Sequence, residues 1–324
     1  MPILRSFHGR ARRLSKPIPR AGGFALPFLL TGACAIGFAP IFVRLSEVGP
    51  TATAFHRLLL ALPALWLWHA LGAMGGSDAK RPASRSDYGG LAVAGLFFAG
   101  DLACWHWSIT FTSVANATLL ANFAPVFVAL ASFALFGERF SRMFLFGMAA
   151  ALAGACVLMG RSFTLSPTNL LGDALGLVTA AFYAGYIVSV GRLRAKFSTA
   201  TIMAWSGLVT CVVLFPVAVL SGEKLVPITL HGWVVLLGLA LVSHAGGQSL
   251  ITYALAHLPA AFSSVSLLLQ PAVAAVLAWV ILGEALGPYQ GLGAMMILTG
   301  ITFARRGSRG TPLAGKAPQV ESEP

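Results

Sequence analysis

Charge is scarce in this sequence. Charged side chains make up 10% of the 324 residues, and only ten of them are acidic. A water-soluble domain carries roughly a quarter. With 57% apolar residues and a mean hydropathy of +0.81, so few charges could not cover the apolar surface, which excludes a soluble helical bundle. Cysteine is scarce too. Cys34, Cys104, Cys156 and Cys211 fall in four different apolar runs with no CxxC pair, so neither a disulfide framework nor a thiolate metal site is expected. Buried thiols behave as small hydrophobes. The seven histidines form no HxxxH or HExxH pattern, and no metal or cofactor is expected. Paired catalytic carboxylates, a motif-bearing Ser-His arrangement and a GxxxxGK[ST] loop are also missing. Those absences argue against an enzyme and against direct drive by ATP.

What the chain has is apolar length. Ten runs near membrane-spanning length lie at about 22–44, 51–71, 88–111, 114–136, 142–160, 170–190, 198–220, 232–256, 260–282 and 288–304. The first is long for the core of a signal peptide and reads as a membrane helix. The expected class is an all-α membrane protein of ten transmembrane helices. Gly49-Pro50, Ser166-Pro167 and Gly287-Pro288 punctuate loops. The predicted organisation is a basic tail 1–21, a five-helix unit 22–160, a linker 161–169, a second five-helix unit 170–304 and a polar tail 305–324.

A net charge of +12 raises the question of nucleic acid, but no aromatic-rich basic patch or nucleic-acid motif accompanies it. The basic residues report topology instead. With the N-terminus placed in the cytoplasm, all but four of the 22 basic residues fall on the cytoplasmic side. The four are Arg161 and Lys224 in opposite loops, and Arg44 and Arg57 at helix ends or within helices. This bias follows the positive-inside rule and places both termini in the cytoplasm.

The two units are copies. Pro125, Gly137, Glu138, Gly147 and Gly154 recur as Pro271, Gly283, Glu284, Gly293 and Gly300, each 146 positions further on. Five helices per copy is odd, so the second copy enters the membrane inverted. Inverted repeats characterise secondary transporters, with the substrate site near mid-membrane between the copies.

PVFVALASFALFGERF (125–140) and PAVAAVLAWVILGEAL (271–286), each followed by a Gly-x6-Gly helix, resemble the paired signature of the drug/metabolite transporter superfamily and its EamA-type members. Further points of resemblance are Arg57 in AFHRLLLALPAL and the runs SITFTSVANATLL and YALAHLPAAFSSVSLLL. Phe38 and Phe182 stand where such proteins often carry tryptophan. The resemblance implies a secondary transporter of the bacterial inner membrane, often an exporter of metabolites, with helices one, three, four, six, eight and nine around a central cavity. Amino acids are the substrates it suggests, with the lipid bilayer as the other partner and no nucleic acid; the oligomeric state stays open. A passive channel on the same scaffold, or an exporter of other metabolites or drugs, stays open.

Polar residues within apolar runs are the site candidates, because ionisable groups are costly in lipid. Asp101 shares a helix face with Trp105 and Ser108, an acid beside an aromatic platform suited to an ammonium group. The alternative pairs Asp101 with Arg57 or His244. His244 and Gln248 lie one turn apart, and His244 reads as a proton carrier or a packing residue. Asn122 and Gln270 precede the repeat prolines. Phe38, Tyr183, Tyr186 and Trp205 are further cavity candidates. Asp101 and His244 are the candidates for proton coupling. Pro125 and Pro271 read as gating hinges or as static curvature. Arg57 is expected to snorkel or form a structural salt bridge, Asp173 to be structural, and Glu138 and Glu284 to hold loop amides. Trp66, Trp68 and Trp233 read as interfacial anchors. The glycine pairs Gly147/Gly154, Gly293/Gly300 and Gly172/Gly176 are expected to pack helices closely.

The topology has a direct test. Reporter tags fused to the two ends should both respond as cytoplasmic; tags found on opposite faces would remove the inverted arrangement.

Overall fold

The computed structural model describes residues 21–74, 81–160 and 169–308. The basic residues before Ala21, Lys80, Arg161, Arg309, Lys316 and the Ser166-Pro167 break lie outside them. Ten helices follow in order. They are α1 (Ala25–Gly37 and Ala39–Leu45), α2 (Pro50–Leu59 and Leu62–Met74), α3 (Arg85–Phe111), α4 (Val114–Ala121 and Ala124–Phe136) and α5 (Arg142–Met159). The second set is α6 (Leu170–Leu193), α7 (Thr199–Leu220), α8 (Leu230–Gly238, Leu239–Gln248 and Ser249–Ala254), α9 (Ala260–Ser266 and Leu269–Leu282) and α10 (Pro288–Ser308). Among the described residues, α1 to α9 are long and apolar enough to cross a membrane. α10 has 21 residues, but Gln290, Arg305 and Arg306 dilute its apolar stretch.

Proline divides four of these rods. Pro40, Pro63, Pro125 and Pro271 each stand at the start of a second helical piece, where the missing N–H is an orphan in any case. The repeat prolines therefore do not bend continuous helices; they restart interrupted ones. Pro216 differs and sits inside unbroken α7. α8 is interrupted another way, by π-helical turns over Leu239–Gln248, which the sequence pattern did not signal.

The duplicated Gly-Glu closes α4 and α9. Gly137 and Gly283 adopt left-handed φ values of 67° and 69°. The following amides, of Glu138 and Glu284, reach back to Ser132 and Ala278 at 3.3 Å. Such a reversal satisfies end carbonyls and favours glycine. The glutamates themselves do not hold loop amides as expected. Glu284 pairs with Arg44 at the end of α1. The loop amides are held by Glu223, which accepts from the Thr51 and Ala52 N–H groups at 2.8 and 3.1 Å, and by Glu47, which accepts from Ile228 and Thr229 at 3.0 and 3.1 Å. Each thus caps a helix of the other repeat. The Thr229 hydroxyl and amide hold the Glu47 carboxyl below its ordinary range.

The repeats meet along α5 and α10, which run antiparallel. Gly147 faces Ala304, Gly154 faces Ile297, Gly293 faces Leu158 and Gly300 faces Ala151. α5 and α10 hold the fifth place in their copies, so their opposed directions make the copies inverted. The first helix of each copy crosses to the third of the other: α1 packs on α8 and α6 on α3. Gly32 lies against Gly247 in the first contact, and Gly172 against Thr112 in the second.

A side chain on this seam has no room. A Cβ at Gly300 would lie 2.5 Å from the Ala151 backbone nitrogen, and backbone cannot yield as a flexible side chain does. Gly300→Val should destabilise the protein by about 1–3 kcal/mol, read as a lowered melting temperature in detergent. Gly291→Val, with open space around its Cβ, should change it far less.

Candidate functional site

Between the repeats lies a cavity of about 700 Å³, within the range of small-molecule sites, roughly 300–1,000 Å³. Its walls include the second half of α1, the first half of α2, and parts of α3, α4, α6, α8 and α9. The six helices that the superfamily resemblance implies all contribute; α2 joins them through Thr53 and Arg57, α5 through Leu158 and Met159, and α10 through Gln290. The cavity extends to the face carrying the α1–α2 and α9–α10 loops, where the Arg44–Glu284 ion pair stands on its rim. Both side chains are about half exposed there.

Of the sequence candidates, Asp101, Trp105, Asn122, Tyr183, Gln248 and Gln270 line the cavity, as does Pro271. The interruptions at Pro125 and Pro271 explain part of this. The breaks at Asn122–Phe123 and Leu267–Leu268 fall beside Asn122 and Gln270, which both face the cavity. Asn122 and Gln270 keep amide nitrogens buried without a hydrogen-bond partner, and so does Gln248.

Six candidates lie outside the lining. Ser108 is on the expected face of α3, but at its height α6 comes close at Gly172. Its hydroxyl donates to the Gly172 carbonyl at 2.7 Å. Tyr186 is buried behind the wall, its ring 4.7 Å from that of Phe98 and its hydroxyl directed to the Met203 sulfur. His244 is buried too and stacks on Phe98 at 5.4 Å; neither ring nitrogen has a hydrogen-bond partner. Phe38 stacks on Phe42 at 6.2 Å. Pro125 is buried at the start of the second piece of α4. Trp205 is likewise not in the lining: it packs edge-on against Trp66 and Tyr88.

Arg57 departs most from expectation. It neither snorkels nor forms a salt bridge. It turns into the cavity, its guanidinium carbon 5.9 Å from the Phe98 ring centre and its Nε buried without a partner. Asp101 does not pair with it or with His244. The ion pairs Arg44–Glu284 and Lys196–Asp87 involve neither Arg57 nor Asp101. His106, not singled out in the sequence, also lines the cavity and bonds the Leu102 carbonyl through Nδ1. Asp173 has the structural place expected of it, accepting from Thr112 at 2.8 Å and Asn116 at 3.2 Å.

A second recess, of about 100 Å³, opens on the opposite face. It is framed by the ends of α4, α6 and α8, which correspond through the repeat to the ends of α9, α1 and α3 around the large cavity. Glu138, the repeat partner of Glu284, lines it with Arg192 and Arg194. Arg192 lies over the Phe136 ring at 4.3 Å, and burial pushes the Glu138 carboxyl up.

Two stretches, residues 23–160 and 170–306, each match the model of the EamA-like transporter family. The chain belongs to that family. The family is one of transporters, and the named relatives are exporters, not enzymes. A probable terminal-alkyne amino-acid exporter of Streptantibioticus cattleyicolor is 31% identical over 86% of this chain and 93% of its own. The threonine/homoserine exporter of Escherichia coli is 32% identical over 66% and 70%. A pseudopaline exporter of Pseudomonas aeruginosa is 31% identical, but the match spans only 52% of this chain and 57% of the exporter. A protein of known crystal structure shares this fold with a TM-score of 0.75 over 88% of this chain and 98% of its own, at 18% identity.

Position in this site separates structural from functional roles. Ser108→Ala should lower stability by about 1 kcal/mol through loss of the bond to Gly172, with transport per folded molecule unchanged. Asn122→Ala should leave the melting temperature nearly unchanged and lower ligand-induced stabilisation in the same thermal-shift assay.

Proposed function

We propose that this transporter exports amino acids across the bacterial cytoplasmic membrane by alternating access. The observation that carries this reading is the unequal pair of openings: a cavity of about 700 Å³ towards one face and a repeat-related recess of about 100 Å³ towards the other. Inverted copies in unlike conformations can exchange them, so that one side opens as the other closes. The breaks before Pro125 and Pro271 stand where half-helices would swing, and are the proposed hinges. Both chain ends lie in the cytoplasm, on the face of Arg81, Arg139, Arg142, Arg192, Arg194 and Lys196. The large cavity then opens away from the cytoplasm.

The amino-acid assignment rests on the lining. Asp101, Trp105 one turn away, Arg57 and the amides of Asn122, Gln248 and Gln270 suit a small zwitterion, and the exporters of Streptantibioticus and Escherichia are named for amino acids. Asp101 is the foremost residue for proton coupling because it meets the cavity directly. His244 would join only if Phe98 moved aside.

Counterflow in liposomes tests the reading. Purified protein should give saturable flux for members of an amino-acid panel and faster uptake when unlabelled substrate is loaded on the far side, which a passive pore would not show. Asp101→Asn should reduce that flux about tenfold or more, in line with loss of a charged hydrogen-bonding partner, at unchanged folded yield. Replacing Pro125 and Pro271 by alanine should slow exchange with less effect on binding. Saturable flux for no amino acid would reject the substrate class, and equal loss of flux and yield in Asp101→Asn would make that residue structural.

A further inference from the structure

Two side chains of opposite charge type face the cavity without direct contact. Arg57 and Asp101 both line it, yet no ion pair joins them. In a protein interior at membrane depth, an unpaired guanidinium and an unpaired carboxylate are each costly, and direct contact is the simplest relief. Here the guanidinium lies over the ring of Phe98, about one turn before Asp101 on α3. Phe98 is backed by Tyr186 at 4.7 Å and His244 at 5.4 Å, so the surface under Arg57 is firm. Trp105, one turn beyond Asp101, faces the same space.

We infer that Arg57 and Asp101 form the two ends of a zwitterion clamp, Arg57 binding the carboxylate and Asp101 the ammonium group of one substrate. This rests on the amino-acid reading above and adds the residue that selects within it. A guanidinium binds a carboxylate through a fork of parallel donors, and the Trp105 face adds a cation–π surface for the ammonium beside Asp101. A zwitterion satisfies both protein charges at once. A plain amine would leave Arg57 unpaired and a plain carboxylic acid would leave Asp101 unpaired, so the arrangement discriminates against both.

The first test needs only the unaltered protein. In reconstituted liposomes, threonine, threoninamide and N-acetylthreonine would compete for labelled amino-acid flux, or the same trio built on whichever amino acid gives the largest flux. Threonine should compete roughly 10- to 100-fold better than either derivative, the range expected for loss of one charge-assisted contact. The second test uses Arg57→Gln and Asp101→Asn. In Arg57→Gln, threonine should weaken to the level of threoninamide while threoninamide is unchanged. In Asp101→Asn, threonine should approach N-acetylthreonine. Amides or N-acetyl derivatives that compete as well as the parent would overturn the clamp while leaving amino-acid export standing. Flux for no amino acid would overturn both. If either variant fails to fold, the competition in the unaltered protein decides alone.

Discussion

The seam between α5 and α10 is the contact on which the rest depends. Lipid supplies no hydrophobic force to drive helices together, so association relies on close packing of small residues. Gly147, Gly154, Gly293 and Gly300 let two backbones touch along several turns. Each copy contributes the same spacing, and the copies meet head to tail. That contact clasps the repeats at one edge. The remaining helices then close around a space that neither copy encloses alone.

Inside that space the usual economy of a membrane protein is reversed. Outward-facing positions are apolar, as at Leu67, Phe133, Leu135 and Val280. The cavity instead gathers Arg57, Asp101, His106 and the amides of Asn122, Gln248 and Gln270, several with donors that no protein group accepts. Unsatisfied donors of this kind weaken a fold. Their concentration in one cavity of an EamA-like transporter is therefore best understood through the ligand proposed for it, not through stability.

Interrupted helices are the means of placing these groups. Where Pro125 and Pro271 restart α4 and α9, and where α8 widens into π turns, residues that a continuous helix would aim elsewhere reach the cavity. The same breaks separate the helix halves that frame the large cavity from those that frame the small recess. Reciprocal caps by Glu47 and Glu223 tie the loops of the two copies on the cavity side, while the Arg44–Glu284 pair spans its rim.

The sequence alone determined the membrane class, the ten apolar runs, the duplication and its inversion. These depend on composition, period and an odd helix count, which are local or additive properties of the chain. It also determined six of the residues that line the cavity, because a polar side chain within an apolar run has few other places to go. Only the tertiary structure decided which polar residues face the cavity and which face a neighbouring helix. Ser108 shares a helix face with Asp101, yet the carbonyl of Gly172 takes it. Arg57 could have reached a membrane surface, yet the ring of Phe98 holds it inward. Helical periodicity assigns a direction about one axis. What stands in that direction depends on helices brought close by glycines far away in the chain.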